Sequence, residues 1–353
     1  MDLQKEFGGR TVFVTGGDGF IGSHLVDKLV GLGADVRVLV ESVAHNPLIN
    51  IGHQKDKIKI LRGNLIDKHS LDEAVKNLRN SHDKPIVFHL AAQAHVGESW
   101  VRPVETLMTN TLGTYNLLQA IIDSGVEIAK FDYAGTAEEY GHNPEIQTND
   151  GVHLHEKSPV NPTSIYATSK LAGDFLTLNF FHAYGMPNVV TRMFNNFGPR
   201  QSPRYVTGVI ITQALLRNEI LLGNLDPRRD FTYVGDGILA HMHIAAKGKP
   251  GETYCYGYGK DISIKDWAEL IIKVGKEIGV WGDREIISDP KRYEPGTSGF
   301  RPGKSDVMKL IVGYQKLHDL SGWSPQVTWE QGIANTIRWY AENQQKWMGL
   351  KDW

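Results

Sequence analysis

The chain has 353 residues, 41% of them hydrophobic and 22% charged, with a net charge of −2. That balance supports a large buried core, and it excludes both a disordered chain and the strongly basic surface that nucleic acid or an anionic membrane would require. Cys255 is the one cysteine, so no disulfide can form within the chain, in keeping with a reducing compartment. The opening stretch MDLQKEFGGR holds no apolar signal segment, and no run approaches the length of a membrane span. The expectation is a cytoplasmic protein with no nucleic-acid and no membrane partner.

In chain order, the β-branched and aromatic run Thr11–Val14 predicts a strand that ends in Thr-Gly-Gly. A helical pattern follows from Phe20 to about Leu32, then a strand at Val36–Val40. Strand, glycine turn, helix and strand make the start of a βαβ unit. Further strands are expected at Ile58–Leu61, Ile86–Leu90, Ile128–Ala134, Val189–Phe194 and Thr253–Tyr256, with long helices at Pro103–Ser124 and Ser164–Tyr184. The alternation implies an α/β fold, a doubly wound parallel Rossmann-type sheet with ligand sites at the carboxyl ends of its strands. After Phe194 the rhythm breaks. Residues 197–232 are rich in Pro, Arg and Gly, a helix is expected at Ile262–Ile278 behind a Ser263/Asp266 capping box, 288–304 reads as a loop, and Trp329–Trp347 reads as a last helix. The expected organisation is therefore 1–196 as a dinucleotide-binding domain, rejoined by 233–260, with 197–232 and 261–353 as a smaller mixed C-terminal substrate domain.

Gly16, Gly19 and Gly22 lie in Thr-Gly-Gly-Asp-Gly-Phe-Ile-Gly, with Phe20 and Ile21 opening the helix. Glycine serves here for a tight turn, for close approach of the backbone to a pyrophosphate, and for close packing of helix on sheet. Glu41 follows the second strand, 19 residues past Gly22, with no basic residue beside it in the sequence. An acidic group there accepts hydrogen bonds from ribose hydroxyls and repels a 2′-phosphate, so NAD is the expected cofactor. Asn64 and Leu65 would flank adenine, and Leu90, Ala91 and Ala92 offer small residues along the cofactor.

Tyr166 and Lys170 are four apart at the start of a predicted helix and so share a face. A nearby ammonium stabilises phenolate and lowers the phenol pKa, which suits Tyr166 to take a proton from a hydroxyl as hydride leaves the same carbon. Thr136, just past the fifth strand, could hold the substrate oxygen, and Glu138 is a candidate carboxylate base. Glu139 reads as a solvated loop residue. His241 and His243 are two apart on a predicted helix and do not share a face, so no metal site is expected. The tryptophans near the C-terminus read as packing residues.

Taken together and in order, the glycine turn, His-Leu-Ala-Ala-Gln at 89–93, Thr136 with Glu138, Tyr166 with Lys170, and Phe-Asn-Asn-Phe-Gly-Pro around Asn195 resemble an extended short-chain dehydrogenase/reductase of the nucleotide-sugar epimerase/dehydratase group. Within it, Gly-Asn-Leu-Asp-Pro-Arg-Arg-Asp-Phe at 223–231 is most similar to the GDP-mannose 4,6-dehydratase branch. The resemblance implies conversion of a nucleotide-diphosphate hexose to its 4-keto-6-deoxy product, with Asn195, Arg229 and Arg301 on the diphosphate and Ser99 among the substrate contacts. It also implies a homodimer or homotetramer, the dimer formed through the two long helices. In such dehydratases the residue between Thr and Glu is typically Asp or Ser, which helps protonate the departing C6 hydroxyl. Here it is Ala137. A nucleotide-sugar 4-epimerase is therefore the runner-up and a nucleotide-sugar decarboxylase the third reading. A nucleotide-sensing regulator on the same fold could do without the Tyr166/Lys170 pair, whose presence argues against it.

Overall fold

The computed structural model describes residues 1–41, 48–144, 152–295, 297 and 299–351. Seven strands form the central sheet: β1 Thr11–Thr15, β2 Asp35–Val40, β3 Lys59–Arg62, β4 Ile86–His89, β5 Lys130–Thr136, β6 Asn188–Met193 and β7 Thr253–Tyr256. Their order is β7-β6-β5-β4-β1-β2-β3, and every pairing is parallel. The strand order reverses between β1 and β4, the place where a doubly wound sheet leaves a crevice at its carboxyl edge.

Both faces of the sheet are buried, which accounts for the continuous apolar runs. Phe13, Leu39, Phe131 and Tyr133 pack with the helices Lys68–Lys76, Gly113–Ser124 and Ile165–Tyr184. Val12, Val14, Val36, Val38 and Phe88 pack on the other face with Phe20–Gly31 and Val234–Lys247. A separate core forms around Phe197, Ile211, Trp267, Ile271, Ile337 and Trp347.

Several elements depart from the sequence reading. The stretch 197–232 holds a helix at Val206–Leu216 and a strand at Glu219–Leu222, and the latter pairs with Glu285–Ser288 at the edge of the expected 288–304 loop. The helix expected at Pro103–Ser124 contains a π-helical turn at Met108–Leu112. The last helix runs Trp329–Glu342, and a separate turn of helix follows at Gln344–Trp347. Thr253–Tyr256 does rejoin the main sheet, as its edge strand. Among the described residues no helix is long and apolar enough to cross a membrane.

Candidate active site

The parallel register sets Thr15 of β1 beside His89 of β4. Gly16, at φ +69°, then passes so close to the next strand end that a Cβ would lie 2.8 Å from Ala91 N and Cα. A Cβ on Gly22 would lie 2.1 Å from Gly16 O. Both positions therefore admit glycine alone. Gly19 caps the helix Phe20–Gly31 without a side-chain cap, leaving first-turn N–H groups to face the crevice. His89 holds this corner: its Nδ1 is 2.7 Å from Thr15 Oγ1 and its Nε2 3.0 Å from Thr114 Oγ1, while Ala91 N donates to Thr15 Oγ1 at 3.2 Å. Burial pushes the His89 imidazole down to about 3, with the Lys170 charge adding to the effect, so the ring is neutral.

The corner opens into a cavity of about 890 Å³. Gly16, Gly19, Phe20, Ile21, Gly22, Glu41, Asn64, Leu65, Leu90, Ala91, Ala92, Tyr166 and Lys170, the residues expected around a cofactor, are brought together in its lining. Asn64 Nδ2 donates to Glu41 Oε1 at 3.0 Å. One neighbour was not foreseen. Pairing of β2 with β3 sets Arg62 beside Val40, and its Nη1 reaches the Glu41 carbonyl at 3.4 Å. Trp339 and Trp347, expected as packing residues, also form part of the cavity wall.

Thr136 closes β5, and Ser164 caps the helix Ile165–Tyr184, its side chain accepting from Ala167 N at 3.0 Å. This brings Tyr166 and Lys170 into the first turns of that helix and over the strand end. The Tyr166 phenol and the Thr136 hydroxyl line the same small cavity. Burial raises the Tyr166 pKa and the nearby Tyr205 adds to the rise, while Thr136 opposes it. The displacement is thus upward, opposite to the sequence expectation, because desolvation of a phenolate outweighs the Thr136 hydroxyl nearby. Lys170 Nζ lies 4.3 Å from the centre of the Tyr133 ring. Burial lowers Lys170, and Glu139 and Asp174 oppose the shift.

A second cavity, of about 330 Å³, meets the first at Tyr166, which lines both. Thr136, Ala137, Glu138, Asn195, Arg229 and Arg301 line this second space. Arg229 is held by its own chain, Nη1 donating to Arg228 O at 3.0 Å and Nη2 lying 3.8 Å from Asp306 Oδ1. Burial lowers the Arg301 pKa, with Glu138 and Asp306 opposing and Arg229 adding to the fall. Two guanidinium groups sharing one small cavity suit a diphosphate. Arg228 turns instead to the surface and pairs with Asp261 at 2.5 Å.

Two expectations are corrected. Ser99 is fully buried, lines neither cavity and donates to Val96 O at 2.7 Å, because the turn at the start of Val96–Val101 takes up its hydroxyl. Glu139 is not solvated: it is fully buried, accepts from Thr136 N at 2.9 Å and pairs with Arg192. Sequence reasoning also missed His95 and Tyr205, whose rings stack at 4.2 Å, and Arg204, which pairs with Glu98 at 2.8 Å. All three line both cavities. Asn110, in the π-helical turn, bridges Gln93 O and Ser169 Oγ, each at 2.9 Å. No local sequence signal marks these residues. Only the signal of a π turn at a functional site connects Asn110 to the rest.

The family model for GDP-mannose 4,6 dehydratase matches residues 13–336. The chain belongs to that family. It is thereby one of the nucleotide-sugar dehydratases and epimerases of the extended short-chain dehydrogenase/reductases, as its motifs imply. It is 33% identical to the dTDP-D-glucose 4,6-dehydratase of Mus musculus, over 96% of this chain and 90% of the relative. It is 31% identical to a putative UDP-glucose 4-epimerase of Methanocaldococcus jannaschii, over 94% of this chain and 99% of the relative. Among solved structures, DesIV, a dTDP-glucose 4,6-dehydratase of Streptomyces venezuelae with NAD and TYD bound, superposes with a TM-score of 0.81 at 26% identity, covering 97% of this chain and 100% of that one. The narrower expectation of a GDP-mannose enzyme is not supported by these relatives, whose named sugars are carried by dTDP or UDP. The residues 223–231 on which it rested fold as a turn and short strands, and several of them line the second cavity.

Proposed function

We propose that this protein is an NAD-dependent nucleotide-sugar 4,6-dehydratase and that a dTDP-hexose is its favoured substrate. The observation that carries the reading is the placement of Glu138 with Thr136 and Tyr166 in one small cavity that also holds Arg229 and Arg301. The dTDP preference leans on the named relatives. The cavity at the glycine corner fits a dinucleotide, because Gly16 and Gly22 make room that any side chain would fill.

NAD bound there would supply a hydride acceptor for oxidation at C4 and, once reduced, a hydride donor for C6. Tyr166 takes the proton of the C4 hydroxyl, and the Thr136 hydroxyl orients that oxygen. Lys170, one turn along the same helix and lining the larger cavity with Tyr166, favours the phenolate that Tyr166 must become. Once C4 is a ketone, the C5 proton is acidic and Glu138 removes it. Hydroxide departs from C6 as water, carrying the proton that Glu138 has taken from C5, because Ala137 has none to give. Asn195, Arg229 and Arg301 hold the diphosphate and so fix the hexose at Tyr166. We read 197–232 and 261–353 as the part that grips the nucleotide.

A 4-epimerase is the second reading, favoured by Ala137 and by the relative from Methanocaldococcus jannaschii. Turnover in deuterated water separates the two. A dehydratase places solvent deuterium at C5 of a product lighter by one water, and Glu138→Gln stops both events. A product that keeps its C6 hydroxyl and carries no deuterium at C5 would replace the dehydratase with the epimerase.

We also infer a dimer through the two long helices. Val104, Leu107, Met108 and Leu112 from one, with Phe175 and Tyr184 from the other, are exposed, Val104 at 66% and Tyr184 at 58%. An apolar stripe of this kind on neighbouring helices suits a self-complementary interface.

A further inference from the structure

Three side chains from three elements meet beneath the catalytic residues. Glu139 follows Thr136 on the turn after β5, Arg192 lies on β6, and Asp174 stands one turn beyond Lys170 on the same helix. Arg192 Nε lies 2.9 Å from Glu139 Oε2 and donates to Asp174 Oδ2 at 2.8 Å, and Nη2 reaches the same Asp174 oxygen at 2.8 Å. Both carboxylates are fully buried, and the Arg192 side chain is 6% exposed. Gly135 makes space for the group: a Cβ there would sit 3.0 Å from Glu139 Oε1 and 3.2 Å from Arg192 Cγ. At the far end, Arg192 Nη1 donates to Tyr140 OH at 3.2 Å.

The group joins the two halves of the site. Glu139 Oε1 accepts from Thr136 N at 2.9 Å, and Thr136 lines the small cavity together with Tyr166. Asp174 fixes the helix that carries Tyr166 and Lys170. Residues that line neither of the two cavities thus hold Thr136 and Glu138 at a set distance from Tyr166 and Lys170. A buried charged triad adds little net stability over an apolar replacement, so stability alone does not explain it. We propose that Glu139, acting with Arg192 and Asp174, is a positioning residue that aligns Thr136 with Tyr166 for the proton and hydride step. This rests on the reading of Tyr166 as the proton acceptor and holds for dehydratase and epimerase alike.

The test compares Glu139→Gln, which keeps the shape and the acceptor for Thr136 N but removes the carboxyl oxygen facing Arg192, with Asp174→Asn at the other end of the clamp. Tyr166→Phe runs beside them, each with a nucleotide sugar that the wild type converts. The expected result is a kcat lower by about tenfold in both clamp variants, with KM and NAD content unchanged, since small misalignments of reacting groups cost rate rather than binding. Thermal melting and the fraction of folded protein are measured alongside. Wild-type kcat in both variants, with Tyr166→Phe inactive, overturns the proposal and leaves the reading of Tyr166 standing. A fall in rate that only matches a fall in folded protein also overturns it. Normal turnover by Tyr166→Phe removes the reading of Tyr166 and the proposal together.

Discussion

Asn64 donates to Glu41 across the carboxyl ends of β2 and β3, at 3.0 Å, and so points one carboxylate of known orientation at the edge of the larger cavity. A carboxylate held there accepts ribose hydroxyls and repels a 2′-phosphate. Arg62 stands close enough to Glu41 to weaken that repulsion, which makes the pair a defined test. NAD should bind apo protein more tightly than NADP in calorimetric titration, and Glu41→Gln should narrow the gap. Tighter NADP binding by the wild type would hand the site to Arg62.

Arg229 and Arg228 are neighbours with opposite fates. Arg229 lines the smaller cavity, whereas Arg228 has a side chain 44% exposed and paired with Asp261. Arg229→Ala should weaken binding of a nucleoside diphosphate by about 2–5 kcal/mol, the usual cost of truncating one partner of a desolvated charge contact. Arg228→Ala should leave that affinity within a factor of two or so, as for an exposed pair. Equal losses in the two variants would remove Arg229 from the diphosphate site.

Tyr166→Phe should bind substrate and NAD as before and yet fail to turn over, because the ring fills the same space without an exchangeable proton. The absorbance of reduced nicotinamide should not appear on mixing with substrate. Its appearance at the wild-type rate would assign the proton to another group.

Val104→Glu together with Leu107→Glu places charge in the middle of the exposed apolar stripe. Sedimentation should then report a smaller species than the wild type. The same sedimentation coefficient for both proteins would rule the two helices out as the interface.

His89 is a buried and His24 a half-buried neutral ring, held down to about 3 and about 4 by desolvation. In the unfolded chain each takes a proton near its ordinary value, about 6.5. The unfolded state therefore binds more protons below that value, and stability present above pH 6.5 is lost as pH falls toward 4 and then 3. Each ring contributes a slope of about 1.4 kcal/mol per pH unit within its window. Melting temperature should fall steadily below pH 6.5, and a flat profile down to pH 4 would mean that both rings charge freely in the folded chain.

Most of the sheet was legible because periodicity and burial agree. Val12 and Val14 face one layer and Phe13 the other, so β1 reads as a run of apolar residues ending at the glycine turn. The turn itself announces its role, since Gly16 and Gly22 sit where a Cβ cannot fit. Tyr166 and Lys170 were legible for a related reason: four residues on a helix are near neighbours whatever else surrounds them. By contrast Val206–Leu216 was hidden, because Val206, Val209, Ile210 and Ile211 are β-branched and the helix is buried on nearly all sides, which erases the one-sided pattern that marks a surface helix.

What the chain order alone determines, then, is the sheet, the glycine corner and the local pairs. The tertiary structure decides the rest by bringing together residues far apart in sequence. His95 meets Tyr205, Glu98 meets Arg204, and Arg229 meets Asp306 only when the loops close over the two cavities. Ser99 and Glu139 show why such outcomes escape a linear reading. A polar side chain looks equally available until packing fixes whether its hydrogen bonds go to a ligand, to water or to the protein itself. Ser99 spends its hydroxyl on its own helix, and Glu139, read as a solvated loop residue, is drawn under the sheet edge because Arg192 is already buried there and needs a counter-charge.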